Sequence, residues 1–183
     1  MRAEYVPLPP PQNVEGLPIY LQNELQRIAR LLGGISERHS IGMYLSATSD
    51  TIASVSSTPV VIDIFDTVSG SATGIAADGS SSFTFNTELD YTLTFACSLS
   101  SSSGGGGGST ETTVGVYKNG TLVQGTNHTV THTSGSHTAA VSITAVGKAV
   151  AGDVLDFRVS SSSTSTITFT NLSAHVVGQL TDV

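Results

Sequence analysis

Tyr91–Leu99 (YTLTFACSL) decides how the chain folds. Tyr91, Leu93, Phe95, Cys97 and Leu99 are apolar at every second position, with Thr92, Thr94, Ala96 and Ser98 between them. A period of two belongs to a strand whose alternate side chains share one face. The odd residues therefore face a core, and the even ones face outward or a partner. Threonine keeps strand propensity on the outward side because it is β-branched. Cys97 joins the core face, which predicts a buried, inert thiol rather than a nucleophile.

The same pattern extends in both directions. Strands are expected over Ile41–Ala47, Val60–Phe65, Ser82–Phe85, Val114–Lys118, Asn127–Thr133, Ser136–Ala145, Val154–Ser160 and Thr166–Gly178. In Val154–Ser160, Leu155, Phe157 and Val159 point inward while Asp156 and Arg158 point out. Asn119-Gly120 between strand-like flanks signals a hairpin, and Gly152-Asp153 signals a turn into the next strand. Ser100–Thr110, with five consecutive glycines, and Ser160–Thr166 are expected loops. The class is all-β.

Composition agrees and excludes much else. Of 183 residues, 27 are Ser and 24 Thr, and only 11% are charged, against roughly 25% in ordinary soluble domains. The exterior must be hydroxyl-rich and largely uncharged. Residues 1–38 carry four arginines and four glutamates, while 39–183 carry three cations against ten acids. The whole −7 thus falls in the later part, which argues against nucleic acid, whose phosphates need clustered Lys and Arg. No run of 18 apolar residues is present, so no membrane insertion is expected. The beginning, MRAEYVPLPPPQ, has no apolar core of the kind a signal peptide needs.

The N-terminal region reads differently. Residues 1–16 hold Pro7, Pro9, Pro10 and Pro11, which favour an extended arm. Residues 17–34 read as an amphipathic helix, with Leu17, Leu21, Leu25, Ile28 and Leu32 on one stripe. Pro18 fits its first turn and Gly33-Gly34 ends it. A helix this short needs something to dock on: its own β-domain, or a symmetry mate or another protein. The prolines before it and the glycines after it favour the second, so the stripe is an expected partner anchor. Residues 35–40 form a linker and 41–183 the β-sandwich domain.

Gly79–Ser98 (GSSSFTFNTELDYTLTFACS), Val114–Gly120 (VGVYKNG), Ser142–Val159 (SITAVGKAVAGDVLDFRV) and Ile167–Val177 (ITFTNLSAHVV) follow one another in an order that resembles C1q/TNF-like jelly rolls. The resemblance covers about residues 41–178 and departs from the family in being poor in aromatics. It implies a two-sheet jelly roll, a homotrimer, and binding or assembly rather than catalysis. The short helix after a Pro-rich arm resembles the N-terminal anchors of bacteriophage virion proteins.

Few residues invite chemistry. His132 and His137 flank Ser134-Gly135. A two-residue hairpin there would oppose them with Cβ atoms about 4.5–5.5 Å apart. The expected reading is hydrogen-bonded histidines at the edge of a core or trimer contact and no metal site, with a metal-binding pair as the minor alternative. His128 and His132, four apart on one strand, would sit about 13 Å apart, too far to share an ion. The glycine run lacks the Gly-Lys-Ser/Thr of a phosphate loop, and no Gly-x-Ser-x-Gly elbow occurs. Asp63 with Asp66, and Glu88 with Asp90, read as solvated strand ends. Sequons at Asn119, Asn127 and Asn171 read as chance matches in a hydroxyl-rich chain.

The expectation is therefore a non-enzyme with no cofactor: a homotrimeric phage virion appendage, fibre- or spike-like, assembled in the host cytoplasm. Residues 1–34 would anchor it to a tail, connector or capsid partner. The alternatives are a tip module that binds a host receptor or glycan, and a capsid decoration protein.

Overall fold

The computed structural model describes residues 20, 21, 23–25, 28, 39–103, 109–133 and 138–180. The chain divides into two compact units, one of residues 1–38 with 182–183 and one of residues 39–181. In the first, every described residue is helical. Leu21, Leu25 and Ile28 from the expected stripe are 51%, 65% and 37% exposed. Leu17, Leu32 and the arm 1–16 lie outside the described residues.

The second unit is built of strands: β1 (His39–Tyr44), β2 (Asp50–Val55), β3 (Val60–Val61), β4 (Thr67–Ser71), β5 (Ile75–Ala77), β6 (Ser82–Phe85), β7 (Leu89–Ser103), β8 (Thr110–Lys118), β9 (Thr121–Leu122), β10 (His128–His132), β11 (Ala139–Ala149), β12 (Val154–Ser161) and β13 (Ser165–Leu180). They form two antiparallel sheets. The first runs β11-β7-β13-β1-β4, with β2 also on β13. The second runs β10-β8-β12-β6-β5, with β3 on β12 and β9 on β8. The two long strands β7 and β13 pair from Leu89↔Leu180 to Ser103↔Ser165. A bulge between Thr170 and Ser173 places Asn171 at a positive φ of 51°.

Inward residues of both sheets meet in one core. Leu93, Phe95, Leu155, Phe157 and Val159 are fully buried, and Cys97 is nearly so. Phe157 of the second sheet stacks on Phe95 of the first, with ring centroids 4.9 Å apart, and meets Phe65 at 5.7 Å and Phe83 at 6.2 Å. Each such buried side chain contributes about 1.5–3 kcal/mol by leaving water. Burial pushes the Cys97 thiol up to about 12, so it stays protonated and unreactive at neutral pH.

One polar cluster fixes a corner. Asn119-Gly120 forms the β8–β9 turn with φ values of 51° and 79°. The Asn119 amide donates to the Asp153 carboxylate at 2.7 Å, and its carbonyl oxygen accepts from Val154 N at 2.9 Å. Lys118 Nζ also reaches Asp153, at 2.7 Å, and Val150 N donates to it at 3.0 Å. These bonds, led by the one from Lys118, hold Asp153 down at about 2.

Five expectations are corrected here. The expected pairing of β10 with β11, flanking Ser134-Gly135, is not made: β10 pairs with β8 in one sheet and β11 with β7 in the other. The apolar alternation of Val141, Ile143 and Ala145 finds its match in Cys97, Phe95 and Leu93. Ser100–Ser103 belong to β7 rather than a loop, since β13 supplies their backbone partners. At the other expected loop only 162–164 lie between strands, and His39 and Ser40 belong to β1 rather than a linker. The short strands β2, β4 and β5 were not expected at all.

Candidate assembly surface

The side of the first sheet that faces away from the core is the most distinctive surface among the described residues. Alternation and register arrange its outward residues in rows across the strands. One row is Val146, Thr92, Val177, Ser40 and Ser71. The next is Thr144, Thr94, His175, Gly42 and Ser69. The third is Ser142, Ala96, Ser173, Tyr44 and Thr67. Towards the other end follow Ala140, Ser98 and Thr170, then Ser100 and Thr168. None of these side chains carries a fixed charge. Val146 is 73% exposed and Tyr44 39%, so the face offers apolar as well as hydroxyl contacts.

Charges begin only at its border. Lys148 and Asp90 face each other 3.9 Å apart in the row beyond Val146 and Thr92. Asp66, just before β4, accepts bonds from Ser46 N and Oγ, both at 2.7 Å. Those bonds, led by the hydroxyl, lower its pKa and hold it as a carboxylate.

His175 sits at the centre. It lies opposite Thr94 on β7 and Gly42 on β1. Its Nε2 is 2.7 Å from Ser40 Oγ. A Cβ at residue 42 would come within 3.3 Å of the imidazole Cδ2 and 2.9 Å of Ser69 Oγ. The missing side chain of Gly42 thus leaves the space the ring occupies.

The outward side of the second sheet differs. Arg158 donates to Asp156 through Nε at 2.7 Å and through its second nitrogen at 2.9 Å. Its guanidinium also lies 4.7 Å from the Tyr117 ring centroid. Leu122 covers Gly115, where a Cβ would fall 2.8 Å from its Cδ1.

The residues singled out from the sequence are scattered. His132 is buried and paired in register with Thr110, on the inward side of β10. His137 lies outside the described residues. No group of three His, Cys, Asp or Glu side chains among the described residues is placed to hold a metal ion. Sequence reasoning did not single out the central face or His175. The even-numbered residues of Tyr91–Leu99 were its visible signal.

No protein-family model and no curated protein matches the chain. Solved structures do. The chain is similar to Eiger TNF from S. frugiperda, with TM-score 0.52 and 10% identity, over 80% of this chain and 95% of that one. Pika GITRL is also similar, with TM-score 0.45 and 13% identity, over 80% of this chain and 98% of that one. With two antiparallel sheets in this strand order, and the likeness to Eiger, the fold is a TNF-like jelly-roll sandwich.

Proposed function

We propose that the protein is a structural, non-catalytic component of a virion, a homotrimeric fibre- or spike-like appendage of phage type. Its β unit assembles through the outward face of the first sheet, and residues 1–34 attach it to another virion protein. The observation that carries this reading is the uncharged face on a chain of net charge −7. Three copies carry −21 together and repel one another in general, so they can approach closely only where charge is absent. The face supplies that place, with backbone pairing satisfied inside its own sheet and hydroxyls able to bond across. The exposure of Leu21, Leu25 and Ile28 supports a separate docking role for the helix.

Light scattering on the full chain at micromolar concentration tests the assembly, with a trimer expected and a monomer overturning it. Protein identification on purified particles from the source tests the location. Recovery with intact particles is expected, and absence from them overturns the virion assignment.

A further inference from the structure

We infer that His175 makes assembly through this face proton-dependent: neutral imidazole permits it, and protonation opens it. The inference rests on the proposed role of the face in assembly and names its control.

Among the described residues His175 is the one imidazole in the rows between Val146 and Ser142. Imidazole is the ordinary side chain whose charge changes between pH 5 and 8. What surrounds it decides the consequence. From β7 it meets Thr94, from β1 Gly42 and Ser40, with Thr144 and Ser69 completing its row on β11 and β4. The titratable groups on the same face are Tyr44, one row along on β1, Asp66 at the border just before β4, where Ser46 already donates to it, and the Asp90–Lys148 pair, two rows away in the other direction. Two rows along a strand are about 13 Å. Asp90 already faces Lys148. No carboxylate of its own sheet therefore stands ready to balance a charged His175.

The ring is also held in place. Ser40 engages Nε2 at 2.7 Å, and the space above Gly42 lets the ring lie there. A hydroxyl accepts or donates as required, so this bond serves either neutral tautomer. On protonation both ring nitrogens become donors. Covering that cation with another copy's uncharged face removes water without supplying a counter-charge. The separated chains then bind the proton more tightly than the assembly does, so association weakens as pH falls.

The test is sedimentation of the full chain at pH 8 and pH 5.5, beside His175→Gln and His175→Asn, with circular dichroism at both values. Expected is a trimer at pH 8 whose half-assembly concentration rises at least about tenfold at pH 5.5, while at least one variant assembles equally at both. A native trimer unchanged between the two pH values overturns the control by His175 and leaves the assembly standing. Acid dissociation shared equally by native chain and both variants overturns it too, since the proton then acts elsewhere. Variants that fail to assemble at pH 8 while remaining folded also overturn it, because a neutral ring would then be needed for its contacts alone. A monomer at both values overturns the assembly reading itself.

Discussion

The outward sides of the two sheets face the same solvent but are finished in different ways. On the second sheet an ion pair is closed within the chain: Arg158 is clasped by Asp156 and lies over Tyr117. On that side Thr113 and Thr129 bond to each other at 2.8 Å. On the first sheet, rows of Thr, Ser, Ala and Val run from β11 to β4 with His175 at their centre. A surface that completes its own polar bonds has little to offer another copy. A neutral surface of hydroxyls and methyls is compatible with a like surface, since neither side must give up a charge.

The largest expected effect removes what the two sheets share. Phe157→Ala should cost about 3–5 kcal/mol, since that ring touches Phe65 and Phe83 and stacks on Phe95 across the core. Denaturant unfolding followed by circular dichroism would show both sheets lost in one shifted transition. The contrast itself is broken by charge. Ala96→Glu, at the centre of the neutral face, should weaken assembly at least about a hundredfold, given that like charges juxtaposed in an interface cost several kcal/mol. Thr129→Glu on the other sheet should leave assembly within about threefold. Sedimentation of the two variants at equal concentration reads this directly, and equal effects would erase the distinction between the faces.

The corner cluster gives a smaller effect. Asp153→Asn loses the ion pair with Lys118 and should cost about 1–3 kcal/mol at pH 7. Asp153 is lowered from 3.8 to about 2. Its stabilisation is therefore complete above about pH 5 and is lost as pH falls through 3.8 towards 2. Urea midpoints between pH 5 and pH 2 should fall more steeply for the native chain than for the variant. The smallest effect is expected at the helix. Leu25→Glu should shift the melting of the β unit by less than about 1 °C, because Leu25 is 65% exposed. Differential scanning calorimetry would detect more.

Much of the fold was legible where apolar alternation was long. Tyr91–Leu99 and Val154–Ser160 revealed their faces because five and three core residues recur at period two. Ser82–Phe85 coincides with β6 for the same reason. The missed strands lack that signal. Thr67–Ser71 (TVSGS) has one large apolar residue, and β1 gives it order through backbone pairing. Ser100–Ser103 is likewise a strand only because Ser165–Thr168 lies beside it. Local chemistry misled on the partner of β11: the residues before it suit pairing with β10, but the long ladder with β7 claims the strand. The central face was half visible, as the even residues of one strand. Its width depends on register among five strands, which no local pattern carries.

The position of β13 has a consequence for biosynthesis. This strand, Ser165–Leu180, lies between β7 and β1, whose residues precede it by many tens of positions. While the ribosome is still adding the residues before Ser165, β1 and β7 have no neighbour between them. Leu93, Phe95 and Met43 then lack Ala174 and Val176, with which their strands are later paired. The first sheet cannot close strand by strand as the chain emerges, and such long-range closure is slow. It closes only once Ser165–Leu180 has emerged, when β13 inserts and joins both halves in one step. Until then the open edges of β1 and β7 are the places where nascent chains are most liable to pair with one another.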